Sequence, residues 1–391
     1  MRSFPYAIRI TAVFVAMFLL YMAVAWQVLA PRGYYGSVEE PRFSDAWIDR
    51  AEAIIEGRLL YRDVFTTTPP LMNLLLVPPT LVSRAFGHTN PWATLAFMSY
   101  FSLFNLLAAY VLLALPASRE EGYRAALYFL LNPLTFGNAL LRRQDESVLV
   151  FFFGLALMLV LHGPAGRAAV AIGVTLLVKL SGALLLPVAF LRSRDWRFLV
   201  VPPLVFGAAV LPFVLTAGQA AVFWDPTKRD FQHPFQLGGI SLGALWFRLY
   251  GDNDEAFAQA LTNYHSVALV VGVALVVLLI ALRPRDALED VTLLATTVLV
   301  LTPKMHCGYL SLLALLMAPL LARHRLHIPY FLFGTLALLS DFYKSPAKEY
   351  ELAITMWAVA SLLLVGSMLW MRRPLAQRDP ARSELSPPLP R

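Results

Sequence analysis

Carboxylates and cations gather in a few short polar stretches of an otherwise apolar chain. Asp45 and Asp49 lie in "SDAWIDRAEAIIEG", Arg142, Arg143, Asp145 and Glu146 in "LLRRQDESV", and Lys179 in "VTLLVKLSGALLLP". Lys228, Arg229 and His233 share "WDPTKRDFQHP", and Lys304 and His306 share "TPKMHCGY"; Asp341, Tyr343 and Lys344 follow. A placed carboxylate can take a proton from a hydroxyl. Arg and Lys stabilise a phosphate that departs with the bonding electrons. Together these residue types fit transfer of a group from a phosphate-bearing donor, provided that the elements carrying them meet.

The elements are set by hydropathy. The chain has 391 residues, of which 58% are hydrophobic and 15% charged, with a mean hydropathy of +0.63. A soluble domain would carry about 25% charged residues. Apolar runs fall at 8–30, 92–115, 121–140, 146–162, 166–179, 180–191, 197–217, 264–282, 287–302, 307–322, 326–341 and 350–371. The pattern predicts an all-α, polytopic membrane protein of about 10–12 transmembrane helices, the shorter runs being tilted or broken. The first run is too long for a signal-peptide core and reads as a retained span. The single cysteine, Cys307, excludes an internal disulfide and a cysteine zinc site.

The net charge of +7 reads as cytoplasmic loops rather than nucleic-acid binding. With the N-terminus inside, Arg2, Arg9, Arg119, Arg124, Arg167, Arg192, Arg194, Arg197, Arg283, Arg285, Arg323 and Arg325 all fall inside. That orientation puts both termini in the cytoplasm and the polar clusters on the extracytoplasmic face of the cell's inner (plasma) membrane. Residues 1–371 form the membrane domain, with a first outer loop at 31–91 and another outer loop at 217–263; the Pro-rich tail 372–391 is expected to be disordered. "LMNLLLVPPTLVSRAFG" cannot cross without reversing every later loop, and its prolines fit an interfacial or re-entrant element.

In the first outer loop, Ser44 is placed to cap a helix from Asp45. Trp47, Ala51 and Ile54 share one face, Asp45, Asp49, Glu52 and Glu56 line the other, and Gly57 ends the pattern. Glu52 and Glu56 read equally well as a solvated acidic face, whereas Asp45 and Asp49 sit nearer the positive end of the helix dipole. At the second cluster, an Arg–Asp pair closing a tight turn competes with an anion site beside a carboxylate. For Lys179, snorkelling of the stem competes with a contact to a lipid phosphate. "DNDE" at 252–255 contains an Asp-x-Asp, which reads as a solvated turn.

"AIIEGRLLYRDVFTTTPPL" resembles the first outer loop of the GT-C superfamily of integral membrane glycosyltransferases, which use polyprenyl-phosphate sugars. Gly57, Tyr61, Asp63, Pro69, Pro70 and Leu71 occupy the family's motif places, with Arg62 inside the turn and Leu60 where Pro is common. Asp145 takes the place of the acidic residue that opens a later span. "LLVKLSGALLLP" and "TPKMHCGYLSLLAL" resemble further segments in the right order. The resemblance implies a GT-C-like bundle with juxtamembrane helices in the first outer loop. It also implies inverting transfer of a hexose, for instance mannose, from a polyprenyl-phosphate donor in the outer leaflet to a lipid, glycan or protein acceptor. Asp45 is the implied base. The stretch from Asp45 to Gly57 is shorter than the family's, and Ala46 replaces its usual acidic neighbour, so Asp49 and Glu40 stay open for that role. Asp145 completes the catalytic carboxylates; Arg142, Arg143, Lys179, Lys228, Arg229, Lys304 and His306 are the implied phosphate ligands. No cofactor is firmly implied, and a divalent metal stays open. The competing function is a lipid-linked saccharide flippase or transporter, which calls for repeated halves with broken helices and mid-span polar residues.

Overall fold

The computed structural model describes residues 4–29, 42–88, 90–116, 118–142, 144–232, 241, 246, 255–283, 286–303, 306–324, 326–344 and 349–371. Among these, every regular element is a helix, apart from an isolated Leu60–Val64 bridge. The order is α1 (Phe4–Leu29), α2 (Arg42–Ile55), α3 (Pro70–Leu75), α4 (Val77–Phe86), α5 (Pro91–Ala114), α6 (Arg119–Leu131) and α7 (Pro133–Phe136). A π-helical turn (Gly137–Leu141), α8 (Glu146–His162), α9 (Ala165–Val178), a 3-10 turn (Leu180–Leu184), α10 (Leu185–Ser193) and α11 (Arg197–Ala217) follow. After a second π-helical turn (Ala220–Trp224) come α12 (Asp225–Gln232), α13 (Glu255–Leu282), α14 (Ala287–Leu301), α15 (Ser311–His324), α16 (His327–Lys344) and α17 (Tyr350–Met371).

Pro5–Gln27, Trp92–Ala114, Arg197–Ala217, Gln259–Leu282 and Glu351–Trp370 are long and apolar enough to cross a bilayer. Shorter apolar helices lie between them. The chain is an all-α polytopic membrane protein. Its centre is α15, buried from Ser311 to Ala322 and packed on α6, α8 and α14. By contrast α1, α11 and α13 expose Leu19, Leu20, Leu204, Leu215, Val267, Val270 and Leu275. Such a surface suits hydrocarbon, because helices satisfy their own backbone groups there.

Proline sets several boundaries. Pro70 and Pro91 sit in the first turns of α3 and α5, where the missing N–H costs nothing. Run 121–140 was expected to be one helix and breaks at Asn132–Pro133. Asn132 is held extended (φ −67°, ψ 124°) by the following proline, and its side chain accepts a hydrogen bond from Leu134 N–H at 3.0 Å. Run 264–282 starts earlier than expected, at Glu255, because "EAFAQALTN" consists largely of good helix formers. The loop expected over 217–263 is shortened accordingly, and it also carries α12. The first-loop helix begins at Arg42, so Ser44 lies inside it rather than capping it. Residues 71–87 form two short helices rather than one span: a turn at Leu76 separates α3 from α4 just before Pro78 and Pro79.

Several of the arginine-bearing segments meet at one end of the bundle. There Tyr6 donates to Glu120 at 3.0 Å and stacks on Tyr123. Arg323 reaches Asp286 at 3.0 Å and Glu121 at 3.9 Å, and Arg192 reaches Asp290 at 3.7 Å. The first loop, the turn after α7, the end of α9 and the start of α15 lie at the opposite end.

Candidate active site

Lys179 follows the last residue of α9. Its N–H still bonds to Thr175 O at 2.9 Å, but its own backbone is extended (φ −159°, ψ 138°) and the chain continues as a 3-10 turn. The helix is therefore broken at the lysine. The ammonium donates to Glu146 Oε1 at 2.9 Å and sits 4.4 Å from the centre of the Tyr309 ring. Glu146 opens α8, where the helix dipole favours a carboxylate. The two partners differ in exposure: the Glu146 side chain is 3% exposed and that of Lys179 30%.

Around this pair the sequence-distant segments close. Asp145, partly buried at the N-cap of α8, lies within Coulombic reach of both Glu146 and Lys179. His306 meets Tyr309 edge-on at 5.5 Å. Asn138, on the π-helical turn, donates to Gly308 O at 3.1 Å and contacts Ser311 Oγ. Arg142 pairs with Asp341 across two helix ends, with side chains 8% and 7% exposed. That pair ties the turn before α8 to α16 instead of closing the 142–146 turn on itself.

The first loop braces the same end. Gly57 ends α2 at φ +74°, and Arg58 N–H bonds back to Ala53 O at 2.7 Å, a Schellman-type close. Tyr61 takes φ +67°, which costs a residue other than glycine about 1–2 kcal/mol. Its ring offsets that by burial against Leu177, Val210 and Phe213, and its hydroxyl donates to Thr68 O at 2.6 Å. Burial pushes the phenol upward from its ordinary range. Asp63 bonds Arg62 at 2.8 Å and accepts from Leu59 N–H at 2.8 Å. The Arg62 guanidinium, with that N–H, holds the Asp63 carboxyl down to about 2. Pro69 and Pro70 then turn the chain into α3, which packs on both α2 and α9. The Tyr61 corner thus seats on Leu177, two residues before Lys179.

The residues expected to do chemistry divide clearly. Lys179 and Asp145 come together at Glu146, and His306 joins them through Tyr309, with Gly308 and Asn138 supplied by the fold. Asp49 is exposed on α2, and among the described residues no hydrogen bond or ion pair joins it to the Lys179 group. Asp45 belongs to the first turn of α2 and Arg229 to α12, with side chains outside the described ones. Lys228 is exposed on α12. Glu40, Arg143, His233 and Lys304 lie outside the described residues, as do the Asp-x-Asp stretch and the tail. Glu52 is not a solvated acid: Arg84 at 3.5 Å and His88 at 3.1 Å hold it against α4. Glu56 is exposed and pairs with Arg58. Among the described residues no group of three His, Cys, Asp or Glu is placed to hold a metal.

Sequence reasoning noticed Glu146 but gave it no role. The available signal was two isolated opposite charges, Glu146 and Lys179, each bordering a long apolar run. Charges so placed call for a partner.

The polytopic helical bundle thus gathers a lysine and two carboxylates where α8 begins and α9 ends. The chain belongs to glycosyltransferase family 87, whose family model matches residues 65–305, and its activity is glycosyl transfer. No curated protein matches it.

Proposed function

We propose that this glycosyltransferase takes its sugar from a polyprenyl-phosphate-linked donor and passes it to an acceptor hydroxyl at the extracytoplasmic face. A carboxylate accepts the hydroxyl proton while the oxygen attacks the anomeric carbon. The bond from that carbon to the phosphate oxygen breaks, and its electron pair leaves with the polyprenyl phosphate. Attack opposite the leaving group inverts the anomeric configuration. The sugar is a hexose, with mannose the first to test, and the acceptor is a lipid, a glycan or a protein.

The observation that carries this reading is the Lys179 ammonium, held by the buried Glu146 carboxylate on a side chain that keeps partial exposure. A cation so placed can stabilise the charge that grows on the leaving phosphate. His306 meets the same Tyr309 ring as the ammonium; Lys304 lies two residues before His306, and Arg143 two before Asp145. Arg142 acts as a brace through Asp341. Asp45 in the first turn of α2 is the base, with Asp49 and Glu40 as alternatives and Asp145 as the carboxylate next to the phosphate. The gathering of arginine-bearing loops at the opposite end supports the extracytoplasmic placement.

The test is transfer of radiolabelled mannose from polyprenyl-phosphate mannose in proteoliposomes. Label moving to an acceptor, and its loss in Asp45→Asn, is the expected result. Full activity in that variant would move the base to Asp49 or Glu40. Donor crossing the bilayer with no chemical turnover would replace the reading by a transporter.

A further inference from the structure

Glu146 has a setting that stability does not explain. Its carboxylate is buried, one oxygen holds Lys179, and Oε2 has no hydrogen-bond partner among the described residues. Buried ion pairs are often no more stable than apolar residues of the same volume, and a half-satisfied carboxylate is worse. The pair is uneven instead: the Glu146 side chain is 3% exposed and the Lys179 side chain 30%.

A lysine stem is otherwise mobile. Here one ammonium N–H is taken by Glu146 and the charge rests on the Tyr309 ring, while an ammonium carries three N–H donors and the side chain keeps partial exposure. Glu146 is itself positioned by its neighbours. It lies in the first turn of α8, and its carboxylate packs on Gly308. A Cβ at Gly308 would lie 2.9 Å from both the carboxylate carbon and Oε2. Asn138 anchors the Gly308 peptide at 3.1 Å, so the contact cannot relax by moving that backbone freely.

We propose that Glu146 is a positioning residue for the transfer: it aims the Lys179 ammonium at the phosphate of the lipid donor, and position 308 is glycine because a side chain there would push the carboxylate off the lysine. This rests on the reading that Lys179 meets a lipid phosphate. A simpler role, in which Glu146 only neutralises Lys179, has the opposite sign. Removing a mere counter-charge would strengthen anion binding; removing a positioning group weakens it.

The experiment measures binding of undecaprenyl phosphate, with undecaprenol as the phosphate-free control, to the full chain in nanodiscs. Wild type is expected to prefer undecaprenyl phosphate, and Lys179→Met to lose that preference by about tenfold or more, as for a lost charge-assisted hydrogen bond. Glu146→Gln is expected to lose most of the same preference, and Glu146→Asp to restore part of it. Gly308→Ala, which alters no charge, is expected to weaken undecaprenyl phosphate several-fold and leave undecaprenol unchanged; it serves also if Glu146→Gln fails to fold. A preference in Glu146→Gln equal to or above wild type, or in Gly308→Ala equal to wild type, with Lys179→Met impaired, would overturn the proposal and leave the Lys179 reading standing. A wild type without preference, or an unimpaired Lys179→Met, would overturn both. Equal losses for the two lipids would assign Glu146 a purely structural role and overturn the proposal.

Discussion

The two ends of the helical bundle are both charged, yet they hold their charges differently. At the arginine-rich end, Arg124–Glu120, Arg323–Asp286 and Arg323–Glu121 join side chains that are about one third to one half exposed, and the half-buried Arg192–Asp290 pair is a longer contact of 3.7 Å. At the other end Arg142–Asp341 is buried on both sides, and Lys179–Glu146 is buried on one. Solvated pairs form and break cheaply and contribute little. Buried pairs cost desolvation and fix geometry. One end reads as orientation and solubility, and the other as a site whose charges are held in place for a ligand.

Four experiments can break or sharpen that contrast. The largest effect is expected at the buried pair: Asp341→Ala leaves Arg142 without its carboxylate and should lower stability by about 3–5 kcal/mol, measured by thermal or denaturant unfolding in detergent. A loss below about 1 kcal/mol would place that pair with surface pairs. Next comes the first-loop corner. Tyr61→Phe keeps the ring packing on Phe213 and removes the bond to Thr68 O, for a cost of about 1 kcal/mol. Hydrogen exchange should show the loss in residues 59–76 before it reaches the rest of the bundle. At the opposite end, Arg323→Ala should cost only about 0–1 kcal/mol; a loss as large as that of Asp341→Ala would erase the distinction.

The smallest effect is one of pH. Asp63 has its carboxyl depressed to about 2 by Arg62 and Leu59 N–H. Its contribution is therefore fully present above the ordinary carboxylate range, near about 4, and is lost as pH falls through about 2. Protease protection of the first loop should stay level from neutral pH to about 4 and weaken below it. Asp63→Asn should abolish that local pH response without moving the global melting point. Protection that falls already near neutral pH in wild type would point to another group.

The sequence made the helices legible because hydropathy and proline act locally. Nearly every apolar run became a helix or a broken pair of helices. The tight corner at Tyr61–Pro70 was also legible, since its residues bond mainly to one another. Partnerships across the bundle were not. Arg142 meets Asp341 from a helix late in the chain, and Lys179 meets Glu146 across the packed α8–α9 pair. Gly308 gives no sign in the sequence that a carboxylate lies against it. The family model spans residues 65–305, which include Asp145, Glu146 and Lys179 but not Asp45.

The central claim is that the Lys179–Glu146 pair is kept for chemistry rather than for stability. The double variant Lys179→Met, Glu146→Gln removes both charges at once and leaves no uncompensated buried ion, so its unfolding transition should stay within about 1–2 kcal/mol of wild type. Sugar transfer from polyprenyl-phosphate mannose by the reconstituted variant should fall about a hundredfold or more. A variant that folds as well as wild type and transfers sugar at the wild-type rate would contradict the account.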